Sequence, residues 1–280
     1  MLSTRICEMK FSVCAVDQPL PVHLPFPLRG TSYRQCAEIA ASLGFDGIEL
    51  QVQNPAEYDG KALKKMLDDY GLKASAVTTG LAYTYEGLSM THPDKNIRQS
   101  TIERLKKQLD LARELESQIL IGFLRGRKQS NQTDEEYEEI LTDSVSRVLS
   151  YAEAIETPMV MEQINHIDGD VFCSTERTMA FLEKFNSEWL VYNGDTYHME
   201  MEDQDIKSAI QRSMSKLVLF HVSDVGRSFP DNKHFDFLTA AETLKACHYN
   251  KWVSIEYKPL PDTLTACREG IHYLKTMFGS

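Results

Sequence analysis

The amino-acid sequence predicts one (β/α)8 TIM barrel spanning residues 1–280. Two observations predict it. Short β-rich apolar runs alternate with longer amphipathic stretches eight times from end to end, the pattern of a parallel sheet with crossover helices. No linker rich in Gly, Pro or Ser breaks the alternation, and 280 residues suit a barrel of about 250. A doubly wound open sheet is the second choice, weakened because no glycine-rich phosphate loop follows the first strand.

The first strand is KFSVCAV (10–16), followed by a proline-rich loop, DQPLPVHLPFPLRG (17–30). Thr31 or Ser32 can cap the next helix, YRQCAEIAASLG, which stops at Gly44 because glycine tolerates a left-handed C-cap. GIELQV (47–52) is the second strand. The helix GKALKKMLDDYG (60–71) is again closed by glycine, and LKASAVT (72–78) is the third strand. In the helix NIRQSTIERLKKQLDLARELE (96–116), Ile97, Ile102, Leu105, Leu109 and Leu111 fall near the 3.6-residue period. The remaining strands are 118–124, 158–164, 189–194, 216–222 and 252–257. Helical segments lie at 134–155, 174–186, 203–214 and 236–249, and a last helix over 262–278 closes the chain.

Composition narrows the function classes. The net charge of −11 and a pI near 5.2 give nucleic acid no broad complementary face. The start, MLSTRICEMKFSVCAV, lacks the apolar run of a signal peptide, and runs such as ILIGFL (119–124) are too short to span a bilayer. Six cysteines, Cys7, Cys14, Cys36, Cys173, Cys247 and Cys267, are dispersed without a CxxC pair. That fits reduced thiols in a cytoplasmic protein better than a disulfide framework. A small-molecule partner is expected, with no membrane or nucleic acid; a homo-oligomer is compatible with the sequence.

Barrels of this kind carry their active sites at the C-terminal ends of the strands. Four ionisable residues end the last four strands: Glu162 in VMEQIN, Asp195 in YNGDTYH, His221 in LFHVSD and Glu256 in SIEYKP. They are 33, 26 and 35 residues apart, about one β/α unit each. Taken singly, a Glu at a strand end more often anchors a loop, and a His more often packs. Four such residues at one level of four successive strands point instead to a metal centre. Three carboxylates and one imidazole suit Mn²⁺, Mg²⁺ or Co²⁺ better than structural zinc.

Two further clusters stand near the same mouth. Arg125 and Arg127 follow the fourth strand in FLRGR, where guanidinium groups can fork onto a phosphate or carboxylate; a solvated basic loop is the even-weight alternative. In FPDNKHFDF, Asp236 reads as a helix cap and His234 as a loop residue.

The segments AASLGFDGIEL, THPDKNIRQSTIERLKKQLDLARELES, MEQIN, GDTYH, FHVSD and SIEY together resemble the xylose isomerase-like TIM barrel superfamily, in its sugar phosphate isomerase/epimerase and ketose 3-epimerase branch. The likeness runs from Lys10 to Phe278. It implies that Glu162, Asp195, His221 and Glu256 bind one divalent metal, Mn²⁺ in first place, and that Glu162 and Glu256 double as the acid/base pair. It also implies substrate contacts for His198 and Arg227. Asn165 fits an E-x-x-N pattern, and Asp168 stands where the epimerases carry a substrate-contacting glutamate.

The resemblance therefore implies a metal-dependent isomerase or epimerase of a keto sugar or sugar phosphate, working through a metal-stabilised enediolate. The alternative is a lyase, a decarboxylase or dehydratase of a keto sugar acid, which Arg125, Arg127 and Asp168 would suit. An apurinic endonuclease is the least favoured, since LQVQNP and TTGLAY carry no histidine for a trinuclear cluster.

Overall fold

Eight parallel strands close on themselves. In chain order the strands are β1 (Lys10–Val16), the two-residue β2 (Leu28–Arg29), β3 (Gly47–Gln51), β4 (Lys73–Thr78), β5 (Ile119–Ile121), β6 (Met159–Glu162), β7 (Leu190–Asp195), β8 (Leu217–Val222) and β9 (Trp252–Ile255). Each from β3 onward pairs with the next, and β9 returns to pair with β1 through Lys10↔Trp252 and Val13↔Ile255. That pairing makes the sheet a closed barrel. β2 takes over beside β1 at Ala15 and Val16, beyond the reach of β9. The structure is a computed structural model and describes residues 8–231 and 233–279; Cys7 and the first residues read for a leader lie outside the described residues.

Helices cover the outside: α1 (Tyr33–Leu43), α2 (Gly60–Asp69), α3 (Gly80–Glu86), α4 (Lys95–Glu114), α5 (Asp134–Ala154), α6 (Thr175–Glu183), α7 (Thr196–Glu202), α8 (Ile206–Ser213), α9 (Phe237–Ala246) and α10 (Thr263–Met277). Their starts are set by side-chain caps. The Gln35 N–H donates to Ser32 Oγ, Thr133 and Glu136 form a reciprocal capping box, and Asp236 caps α9, as its sequence position indicated. α1 ends at Gly44, whose φ of +82° is left-handed.

Strand side chains are buried on both faces, as a helix-covered parallel sheet requires. Outward residues such as Ile48, Val77 and Phe220 join the core shared with the helices. Inward, Ala76, Leu120, Val160, Val191 and Leu219 form a separate apolar layer. Side chains alternate along a strand with period two, so Glu162 stands one step above Val160 and His221 one step above Leu219. The apolar layer is the floor on which the polar mouth rests.

Two expectations change. The fourth predicted strand, 118–124, stops at Ile121, because Gly122 (φ −102°, ψ −103°) diverts the chain into a 3-10 turn, Phe123–Arg125. α3 and α7 were not legible: at seven residues each they are too short to show a period. The proline-rich loop is tied down by one side chain. The Arg29 guanidinium donates to the carbonyls of Leu20, Pro21 (3.0 Å), Leu24 (2.8 Å) and Phe26 (3.1 Å).

Cys14, Cys36, Cys173, Cys247 and Cys267 are free thiols, and no helix among the described residues is long and apolar enough to cross a membrane. Gly44→Ala is expected to cost about 1–2 kcal/mol, the strain of a left-handed non-glycine residue, with Tm falling by a few degrees in a thermal melt. An unchanged Tm would show that the cap relaxes without strain.

Candidate active site

The ends of β6 to β9 bring Glu162, Asp195, His221 and Glu256 together, with one ligand-type atom of each within 4.8 Å of all the others. Register places them: Asp195 lies opposite His221, and Glu162 opposite Asn193. His221 Nδ1 is 3.1 Å from Glu162 Oε1, 3.2 Å from Glu256 Oε2 and 3.5 Å from Asp195 Oδ2. Asn193 Nδ2 donates to Glu162 Oε1 at 2.9 Å. Gly122 makes room for that carboxylate, since a Cβ there would lie 2.4 Å from Glu162 Oε2.

Glu49 was not singled out in the sequence, although it is the one charge in GIELQV. It is wholly buried on β3, and both its oxygens face His221 Nε2, at 3.1 and 3.0 Å. An ionised carboxylate can only accept, so it fixes a proton on Nε2 and leaves Nδ1 facing the other three carboxylates. Burial disfavours the imidazolium, but Glu49 and Glu256 outweigh it and hold His221 well above its usual range.

Arg227 supplies the other positive charge. Its Nη1 donates to Asp195 Oδ2 at 2.5 Å and lies 2.8 Å from Glu256 Oε2. That second contact is Coulombic: no N–H is aimed at Glu256 Oε2, which is buried without a hydrogen bond. Burial would raise Asp195, but the Arg227 guanidinium wins and holds it well below the usual carboxylate range. Glu162 goes the other way. Burial pushes it up to about 7, against the hydrogen bond from His221 and with the charge of Glu256 adding.

Asp195 also begins α7. Its Oδ1 accepts from the Tyr197 N–H at 2.8 Å, and the first turn of that helix carries His198 inward. His198 Nδ1 accepts the Asn165 backbone N–H (3.2 Å) and Asn165 Nδ2 (2.8 Å). The amide cannot flip, because its Oδ1 already accepts from the N–H groups of Ile167 and Asp168. Arg227 Nη2 stands 3.1 Å from Nε2, and a guanidinium can only donate, so donors face both ring nitrogens and the imidazolium is disfavoured. Burial, with the Arg227 and Arg125 guanidiniums adding against the opposing pull of Asp195, holds His198 down at about 3.

A cavity of about 360 Å³ opens above this cluster, and Glu162, Glu256, Arg227 and Asp168 line it. Such a volume lies within the roughly 300–1,000 Å³ of small-molecule sites. Arg125 and Arg127, expected at the same mouth, do not line it. Arg125 is buried and donates to the backbone carbonyls of Glu162 (3.3 Å), Ile164 (3.5 Å) and Val171 (3.0 Å), bracing the loop after β6. Arg127 pairs with Asp170 at 3.1 Å near the surface. Both side chains are already engaged by groups of the chain itself, so neither is presented to a substrate anion.

A closed parallel barrel here gathers carboxylates, an imidazole and a guanidinium beside a cavity at its C-terminal mouth, where barrel enzymes carry their active sites. The family model described as xylose isomerase-like TIM barrel matches residues 37–277, and the chain belongs to that family. It is 26% identical over 216 residues to an L-ribulose 3-epimerase of Mesorhizobium japonicum, covering 76% of this chain and 71% of that protein. It is 25% identical over 215 residues to a ketose 3-epimerase of Arthrobacter globiformis, covering 76% and 73%. Among solved structures, an L-ribulose 3-epimerase superposes with a TM-score of 0.82 at 18% identity, covering 96% of this chain and 94% of that one. The chain is an enzyme of the isomerase/epimerase class.

The His198 environment makes a direct prediction. With the ring held neutral down to about 3, its ¹⁵N resonances should show a neutral imidazole and no titration from pH 5 to 8. An inflection near 6.5, the ordinary histidine value, would overturn the assignment.

Proposed function

We propose that this chain is a divalent-metal-dependent epimerase or isomerase of a keto sugar or sugar phosphate, with ketose 3-epimerisation as the reaction its relatives favour. The observation that carries the reading is the convergence of Glu162, Asp195, His221 and Glu256 at the barrel mouth, with Glu162 and Glu256 lining the cavity. The donor set fits a hard divalent cation: three carboxylates, one imidazole nitrogen and a buried Glu256 oxygen with no hydrogen bond. Four carboxylates, counting Glu49, meet only Arg227 and His221 as cations. Mn²⁺ matches this oxygen-rich set, with Mg²⁺ or Co²⁺ as alternatives. When bound, the cation offsets the charge that develops on the sugar's oxygens as a proton leaves the carbon beside the carbonyl.

The chain's own residues do the rest. Glu162 and Glu256 come from the two outer strands of the four, so they flank the reacting carbon, one as base and one as acid. His198, buried beside Arg227, meets a substrate oxygen through Nε2, and Arg227 holds a second oxygen. Asp168, half-buried on the cavity wall, accepts from a hydroxyl. A lyase reading leaned on Arg125 and Arg127, which are turned to other partners. An endonuclease reading finds Gln51 and Thr78 where histidines would stand, on an acidic chain.

Cation binding should tighten as pH rises. Glu162 titrates near 7 in the folded chain, above its unfolded value, so its stabilising protonated form is lost as pH climbs through 7. His221 must also release a proton to offer Nδ1. The rise in Tm on adding MnCl₂ should therefore be larger at pH 8 than at pH 6; equal shifts would sink the linkage.

Glu256→Gln keeps the shape and removes one member of the acid–base pair. Turnover of the best ketose at saturating Mn²⁺ should fall by about 10²–10⁴-fold, with metal content measured in parallel. Near-normal turnover at full occupancy would remove Glu256 from the chemistry.

A further inference from the structure

We infer that the sector of the mouth above β9, β1 and β3 binds an anionic group, a phosphate or carboxylate at the end of the sugar remote from the reacting carbon, with Lys258 as its charge partner. The inference rests on the sugar-epimerase reading and narrows its substrate class.

Lys258 lies two residues after Glu256. Between them Tyr257 turns outward, its hydroxyl donating to the Ala266 carbonyl at 2.7 Å, so Glu256 and Lys258 share the inward side and both line the cavity. The backbone fixes this placement: the Lys258 N–H donates to the Arg227 carbonyl at 3.0 Å, and Lys258 O accepts from the Leu260 N–H at 2.8 Å. Two cations thus reach the cavity from adjoining, hydrogen-bonded loops, and they differ in what they meet. Arg227 is engaged by Asp195 and Glu256. Among the described residues the Lys258 ammonium has neither an ion pair nor a hydrogen bond.

Gln51 adds an independent observation. It ends β3, is only 3% exposed and lines the same cavity. Its backbone carbonyl accepts from Tyr33 Oη at 2.8 Å, but its side-chain amide has no partner among the described residues. The amide opens on the cavity, where it can meet a ligand. β9, β1 and β3 are hydrogen-bonded neighbours, and His23 reaches the cavity from the loop after β1. Ammonium, amide and imidazole therefore share one sector, while Asp168 and Tyr197 line the sector of β6 and β7. A hydroxyl would satisfy Gln51 alone. An anionic oxygen satisfies Gln51 and gives Lys258 its countercharge.

The test is binding of D-fructose 6-phosphate, D-fructuronate and D-fructose to the Mn²⁺-loaded wild type, Lys258→Gln and Lys258→Arg, by calorimetry. The wild type should prefer one of the two anionic sugars over fructose by about 10- to 100-fold, the range of a charge-assisted hydrogen bond. Lys258→Gln should lose most of that preference and Lys258→Arg should keep it; which anion is favoured tells phosphate from carboxylate. No anionic preference in the wild type, or a preference that survives in Lys258→Gln, overturns the inference. Product analysis of the same three sugars separates the two readings. A Lys258-dependent preference without epimerised product upholds the subsite and defeats the reaction, and epimerised product without the preference does the reverse.

Discussion

Everything at the mouth of this barrel answers one constraint: four carboxylates are buried around a single imidazole. Like charges about 4 Å apart repel by roughly 4 kcal/mol at an effective dielectric of 20, and burial adds a desolvation cost for each. The chain meets this with His221 at the centre and Arg227 at the rim. Glu49 reaches His221 from β3, on the far side of the imidazole from Glu162, Asp195 and Glu256. The result is a carboxylate–imidazole axis of the kind that orients histidine ligands in metal proteins. Barrel closure is what makes it available, because β3 and β8 are far apart in sequence and in strand order.

The second half of the site is built on a boundary between two kinds of secondary structure. Asp195 is the last residue of β7 and the cap of α7, so one carboxylate ends a strand, starts a helix and faces Arg227 and His221 with its other oxygen. His198 is inward because that helix begins there and nowhere else. Its Nδ1 is held in turn by Asn165, which the loop after β6 presents and Arg125 braces. Position and direction of one imidazole thus follow from a short chain of hydrogen bonds that begins at a strand end.

Much of this was legible in the sequence, and for a physical reason. In a barrel the inward face repeats every second residue, so Val160 then Glu162, and Leu219 then His221, announce an apolar layer with a polar layer above it. The helices with long periods, such as α4 and α5, were equally plain. What escaped notice was anything set by approach between distant segments. Glu49 reads as an ordinary charge in GIELQV until the barrel closes. Gly122 reads as part of a strand until Glu162 is seen to need its missing Cβ. Arg125 and Arg127 sit at the predicted strand end, but a strand cut short at Ile121 turns them toward the β6 loop. Sequence position told which strand end they follow; it did not tell where a diverted backbone would aim them.

The four-carbonyl grip of Arg29 on the proline-rich loop has a kinetic meaning. That loop supplies His23, Leu24, Pro25 and Phe26 to the cavity wall, a role that many enzymes give to a segment ordered only around its substrate. Ordering a backbone takes about 1–2 kcal/mol per residue. Here that ordering belongs to folding, since the proline rings and one guanidinium hold the loop in place before any sugar arrives. The wall is a fixed jamb in this structure, so entry of a ligand calls for no further ordering of this loop.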